Sequence, residues 1–336
     1  MKIQYWTPEE DKIIIDNYQA LQMKEIQKFL PHRTFASLKH RKKILQLEKR
    51  KFTSVNEMFF DKPNLQNCMV AGFVSADGCV TSNHRFIINL AFKDVEFLKN
   101  IAKLIEFEGT IHISEKTREF PIRHDSQREK YEFTGKYCNL STWETKKWSE
   151  DLNKHWNVTP RKTLTLQPPN INILDLVLAF CSGSIDGDGM ITFNPKNKKF
   201  KLGKSLRINM LGTEDLLSWI KEWFDKLTPN DIQAKVYKDR ENSKIFRYDV
   251  TGMRAYVLSK MMLSLPILRL DRKWNKAREW IEIIETIDLS IENLCKLKRM
   301  ITPGIEGFVN SYNNFFPNFN IQYMLTRLKN NGYKVT

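Results

Sequence analysis

The phrase VAGFVSADGCV at residues 70–80 returns, altered, as CSGSIDGDGMI at 181–191. Each copy runs from small and apolar residues into an acid followed by glycine, Asp77–Gly78 and Asp188–Gly189, then back to apolar residues. Other matches keep the same order. RFIINL ending at Leu90 pairs with SLRINM ending at Met210, YEFTG at 131–135 with YDVTG at 248–252, and PRK at 160–162 with DRK at 271–273. The offsets are 111 for the acids (188 − 77), 120 for Ile-Asn (208 − 88), 117 for Thr-Gly (251 − 134) and 111 for Arg-Lys (272 − 161). Four ordered matches at a nearly constant offset imply a duplicated domain rather than a solenoid. The longer offsets fit an inserted loop at PKNKKFKLGKS, 195–205, later balanced by a shorter one.

Periodicity predicts the same element order in each copy. A helix ends at the acidic phrase, and two strands follow (79–83 and 86–92; 190–194 and 202–211). Then come a helix (94–107; 214–227), two more strands (110–114 and 130–136; 232–238 and 245–251) and a closing helix (140–156; 254–263). The expected fold class is α+β: tandem αββαββα repeats, 65–165 and 166–289, related by a pseudo-two-fold axis. Alternation such as Thr-Phe-Asn and Ile-Asn-Met fits antiparallel sheets with one buried and one open face.

Before the repeats, WTPEEDKIIIDNY offers Thr7 as an N-cap, Pro8 at the first helical position and acids in the first turn. A second helix fits 23–30, and Thr34 caps a third through about Leu45. Leu38 and Leu45 mark the buried side of that third helix, Lys39, His40 and Lys43 point away, and Arg41 and Lys42 flank them. Residues 1–50 therefore read as a small three-helix unit of helix-turn-helix plan with a basic third helix, suited to DNA. The competing reading is a solvated basic surface. Residues 51–64 read as a linker whose EMFF can dock on the next domain. The tail, 290–336, reads as further short helices, with a second small DNA-binding unit among the options.

The chain has 336 residues, 54 Lys+Arg against 39 Asp+Glu, a net charge of +15 and 41% hydrophobic residues. That is enough apolar material for a packed core, and the charge favours a polyanion partner, nucleic acid before an anionic membrane. Five scattered cysteines, Cys68, Cys79, Cys138, Cys181 and Cys295, form no CxxC pair, which speaks against a zinc ribbon or a disulfide framework. With no signal-peptide pattern at the start and no apolar run long enough to span a bilayer, a soluble intracellular protein is expected, cytoplasmic or nucleoid-associated if from a bacterium or phage, with an organelle as the alternative.

Three readings compete for the acidic phrase. DGDGMITFNPKN opens like a calcium loop, but Met190 and Asn197 fall where ligands are needed. A turn with Gly78 and Gly189 at positive φ accounts for the local sequence but not for paired acids in a duplicated domain. The third reading is a joint site. Ala71, Gly72 and Ser75, with Ser182, Gly183 and Asp186, leave little bulk on one helix face, so the two helices can approach closely. Asp77 and Asp188 then become neighbours. Two carboxylates held together call for a cation, and oxygen ligands suit Mg²⁺, or Mn²⁺ in its place.

VAGFVSADG (70–78) and, more loosely, CSGSIDGDG (181–189) resemble the nine-residue signature of the LAGLIDADG homing endonucleases. Two copies in one chain resemble the monomeric, pseudo-symmetric members, and the N-terminal unit resembles a Myb/SANT-like helix-turn-helix. The resemblance spans about residues 59–280. It implies a site-specific endonuclease that cuts both strands of double-stranded DNA across the minor groove, at a long pseudo-palindromic or asymmetric target. It implies metal-binding catalytic acids at Asp77 and Asp188, backbone carbonyls of Ala76 and Gly187 facing the metal, and basic residues Lys162 and Lys273 near the scissile phosphates. Base reading would fall to Thr81, Asn83, Arg85 and Asn89 in one half and to Thr192, Asn194, Lys196, Ser205, Arg207 and Asn209 in the other, with Lys39, His40, Arg41, Lys42 and Lys43 adding contacts from the front unit. Ser75 replaces the acid found at Asp186, which implies unequal cutting of the two strands. Phe92 and Gly212 stand where a polar residue is often found past the second strand. The alternative is a non-cleaving DNA- or RNA-binding regulator or intron maturase on the same fold.

Overall fold

Thr7 starts the first helix by exchanging bonds with Glu10: the Glu10 amide donates to the Thr7 hydroxyl at 3.3 Å, and the Thr7 amide donates to the Glu10 carboxylate at 2.9 Å. The computed structural model describes residues 5–18, 23–47, 55–121, 130–142, 146–195, 204–228, 234–286, 290–298 and 321–333. The chain divides into two compact units, Met1–Ser54 and Val55–Thr336. The first holds α1 (Pro8–Tyr18), α2 (Met23–Phe29) and α3 (Phe35–Ile44), the last capped by Thr34. Ile14, Ile26, Leu30 and Leu38 form its core. Beneath them the buried Glu10 carboxylate accepts both Arg33 bonds at 2.7 Å, and Arg33 lies over the Trp6 ring. The hydrogen bond from Arg33 holds the Glu10 carboxyl down to about 2. Burying one of these charges without the other would be costly.

The second unit begins inside the segment read as a linker. Phe60 is fully buried, with the rings of Phe86, Trp148 and Trp156 at 6.3, 5.1 and 5.6 Å, and Val55 and Phe59 pack against the same cluster, so this segment anchors on the first repeat's core. That repeat runs α4 (Leu65–Asp77), β1 (Gly78–Val80), β2 (Phe86–Ala91), α5 (Val95–Leu104), β3 (His112–Pro121), β4 (Lys130–Thr142) and α6 (Lys146–Trp156). The next runs α7 (Leu174–Gly187), β5 (Met190–Pro195), β6 (Lys204–Gly212), α8 (Glu214–Leu227), β7 (Val236–Lys238), β8 (Phe246–Thr251) and α9 (Gly252–Ser264). Both sheets are antiparallel, ordered β1-β2-β4-β3 and β5-β6-β8-β7. The expected αββαββα order thus occurs twice. The second repeat continues into α10 (Asp271–Glu285), whose Trp274 and Trp280 are buried, and α11 (Ile291–Lys298) then packs against α12 (Ile321–Asn330).

Strand pairing corrects part of the sequence reading. The first strand ends at Val80. Residues 81–85 form a turn closed by the Thr81 amide to the Arg85 carbonyl at 2.9 Å, with His84 at φ 60°. Residues 140–142, read as helix, continue β4. The Thr-Gly match at 134 and 251 is coincidental. Asn89 faces Asn139 across the first sheet, and Asn209 faces Asp249 across the second, so Thr251 corresponds to Ser141. Burial enforces this register: Cys138 and Leu140 fill the core positions that Tyr248 and Val250 fill in the other half, and a one-residue slip would turn them outward.

Candidate active site at the joint of the repeats

Helices α4 and α7 pack backbone to backbone. A Cβ on Gly72 would collide with the Phe180 carbonyl, and one on Gly183 with the Met69 carbonyl. The two contacts are related by the 111-residue offset of the phrase (183 − 72 and 180 − 69), which makes the joint pseudo-two-fold symmetric. Phe73, Val74, Phe180 and Ile185 fill the cores on either side of the contact. This close approach brings the helix ends together, and Asp77 and Asp188 stand side by side and exposed. Although its edge remains open to solvent, partial loss of water against the joint, then the neighbouring Asp188 carboxyl, pushes the Asp77 pKa up. Lys273 and Lys162 pull it the other way.

The residues two before the acids turn inward. Ser75 donates to its own helix at the Gly72 carbonyl, 2.6 Å. Asp186 is 1% exposed and accepts from the Trp274 indole N–H at 2.8 Å, while Oδ2 is buried without a partner among the described residues. Burial raises its pKa to about 7.

Both lysines serve the helix ends. Lys162, in a single 3-10 turn (Lys162–Leu164), donates to the Gly78 carbonyl at 2.7 Å. Lys273, in the first turn of α10, donates to the carbonyls of Ile185, Asp186, Gly187 and Gly189 at 2.9, 2.7, 2.6 and 2.8 Å. The last carbonyls of a helix lack intrahelical donors and carry partial negative charge, so an ammonium there is favourable. Burial lowers the pKa of both lysines, and the attraction of Asp77 and Asp188 opposes it. Both lysines stand beside the acids, where a role near the scissile phosphates is expected, and each ammonium also lies against backbone carbonyls. Lys273 engages the Gly187 carbonyl, one of the two expected to face a metal, whereas Lys162 reaches Gly78 rather than Ala76.

Among the described residues no group of three or more His, Cys, Asp and Glu gathers as a metal cage. The joint offers two carboxylates whose repulsion a divalent cation would relieve. That donor set fits Mg²⁺, which keeps several waters and binds through one or two carboxylates plus substrate phosphates.

On the second sheet Thr192, Arg207 and Asn209 lie on the face opposite the core residues Ile191, Leu206, Ile208 and Met210. Ser205 shares that face but is buried, as is Asn209. The backbone of Asn194 belongs to β5 while its side chain, and all of Lys196, fall outside the described residues. In the first half Asn89 is exposed on β2. Thr81, Asn83 and Arg85 belong to the turn rather than to an alternating strand, and Arg85 donates to the Ser141 hydroxyl at 2.7 Å. In the N-terminal unit Lys39, His40 and Lys43 are exposed. Lys42 lies over the Tyr18 ring, and Arg41 is held by Asp11 through bonds of 2.7 and 2.5 Å.

Sequence reasoning missed Asp249, which grips Arg207, Tyr237, which donates to Asp249, and the ion pair of Arg272 with Asp94 at 2.7 and 2.8 Å, which ties the start of α10 to the first repeat. Strand alternation in YDVT would have put Asp249 on the open face. Nothing local pairs Arg272 with a residue 178 positions away.

No family model matches the sequence, and no curated protein matches it. Several solved structures are similar to it. The LAGLIDADG meganuclease I-AabMI bound to uncleaved DNA is 14% identical with a TM-score of 0.40, covering 72% of this chain and 99% of that one. The LAGLIDADG homing endonuclease I-GzeII in complex with its DNA target is 11% identical with a TM-score of 0.42 at the same coverages. I-DmoI in complex with DNA and Ca is 11% identical with a TM-score of 0.36, covering 68% and 99%. Among the described residues no helix is long and apolar enough to cross a membrane.

Proposed function

We propose that the chain is a site-specific DNA endonuclease of the LAGLIDADG homing type, hydrolysing one phosphodiester on each strand across the minor groove. The observation that carries this reading is the meeting of Asp77 and Asp188 at the ends of two helices locked by Gly72 and Gly183. Mg²⁺ or Mn²⁺, when bound by these carboxylates, would supply charge stabilisation to the in-line displacement at phosphorus. The protein's own part is to hold the acids rigidly. Lys162 and Lys273 fasten the helix ends from below, and Arg272 fastens α10. The two open sheet faces bind the flanking duplex, and lysines and arginines add phosphate contacts, so affinity falls steeply with salt. The exposed Lys39, His40 and Lys43 of the N-terminal unit lengthen the contact with DNA.

The test is to select bound duplexes from a random library, clone the enriched site in a supercoiled plasmid, and incubate it with Mg²⁺ or with EDTA. The expected result is a linear product in Mg²⁺ alone. Tight, site-specific binding in Mg²⁺ with no nick would overturn the enzyme in favour of a non-cleaving regulator.

A further inference from the structure

On the open face of the second sheet, Asp249 gathers three partners. Arg207 donates to it through Nε at 2.9 Å and Nη2 at 2.6 Å, Asn209 donates through Nδ2 at 2.8 Å, and the Tyr237 hydroxyl donates to Oδ2. Oδ1 and Oδ2 each accept two bonds, so Asp249 is saturated and has no capacity left for a base. Burial raises its pKa, but the bonds from Arg207, Tyr237 and Asn209 outweigh that, and the net shift is downward. The carboxylate therefore stays ionised and the clamp stays closed at neutral pH.

The clamp uses one edge of the guanidinium. Nε–H and one Nη2–H face the carboxylate, which leaves the second Nη2–H and the Nη1–H on the next edge as a two-donor fork. Arg207 keeps 26% of its side chain exposed on a face the core does not use. A planar, pre-oriented fork of two donors is the complement of guanine O6 and N7 in the major groove. A loose arginine on an open sheet would serve any phosphate, whereas a clamped one loses little freedom on binding and discriminates by direction.

Among the described residues, the first sheet shows no such clamp at the matching register. At the register of Asn209 and Asp249 it carries Asn89 and Asn139, where Asn139 Nδ2 donates an uncharged hydrogen bond to Asn89 Oδ1 at 2.6 Å, and Ile87 stands two residues before Asn89 where Arg207 stands before Asn209. We propose that Arg207, positioned by Asp249 and Tyr237, reads a guanine in the half-site facing the second sheet, and that the other half-site has no equivalent guanine requirement. The inference rests on the DNA-cleaving reading above and adds its specificity.

The experiment is a binding selection from a random duplex library in EDTA, so that cleavage plays no part, with the wild type, Arg207→Lys, Asp249→Asn and Tyr237→Phe. Each bound pool is sequenced, and thermal unfolding of each variant checks that it is folded. The wild type is expected to enrich guanine at one position of one half-site. Arg207→Lys keeps the charge but removes the fork, and the guanine preference is expected to fall roughly 5- to 100-fold, with the other half-site unchanged. Asp249→Asn, which frees the arginine, is expected to lower the preference while leaving binding to random DNA the same or stronger. Guanine enrichment surviving intact in Arg207→Lys overturns the inference while leaving the endonuclease reading standing. A wild-type pool with no enriched sequence overturns both.

Discussion

The two repeats end their signature helices in different ways. In the first, Ser75 bonds to its own helix, Lys162 reaches a single carbonyl from a short 3-10 turn, and the preceding Arg161 is exposed at φ 60°. In the second, Asp186 docks on Trp274, Lys273 reaches four carbonyls from a helix of 15 residues, and Arg272 anchors that helix to Asp94. The helix contact itself stays symmetric. Duplication has therefore preserved the geometry that sets the acids and let the supports diverge, with the second half more heavily braced. If the chain cleaves DNA as proposed, this difference in bracing predicts unequal cutting of the two strands.

The largest expected effect tests what the halves share. Gly72→Leu and Gly183→Leu each drive a side chain into partner backbone, and either is expected to destabilise the repeats by at least about 3 kcal/mol, measured by denaturant unfolding. A large effect at one glycine and none at the other would break the pseudo-symmetry. Next comes the difference in bracing. Lys273→Met strands four carbonyls and Lys162→Met one, so the expected losses are about 3 and about 1.5 kcal/mol on the same assay. Equal losses would remove the distinction between the halves. The last effect is pH-dependent. Asp186 has a folded pKa near 7, above the ordinary 3.8, because burial opposes its charge. Its contribution to stability is full at acid pH and declines as pH rises from about 4 to 7. Asp186→Asn removes that decline, so its melting temperature relative to wild type should climb across that window; a flat difference would mean that Asp186 does not titrate as a buried acid.

The duplication, the joint of the acids and the three-helix front unit were legible because each is written locally. Small residues at helical spacing, caps at Thr7 and Thr34, and an acid at a fixed position suffice. The extent of the strands was less so. YEFTG and YDVTG look alike, yet Thr251 stands at the end of β8 while Thr134 lies seven residues before its true counterpart Ser141 (141 − 134), and only the buried partners Leu90 with Cys138 and Met210 with Tyr248 set the register. The roles of Lys162 and Lys273 were half legible. Their shared offset located them beside the phrase, but a lysine that caps a helix and one that meets a phosphate carry the same sequence signal. The Arg207–Asp249 clamp spans two strands 42 residues apart, beyond the reach of local spacing.

The central claim is that one active site is assembled from both repeats. It is tested most directly by measuring linear product and binding on the selected target in Mg²⁺ for wild type, Asp77→Asn and Asp188→Asn. Each isosteric change removes one of the paired charges without adding bulk. The account predicts that either variant loses double-strand cleavage while binding remains within a few-fold of wild type. Undiminished double-strand cleavage by either variant would contradict it.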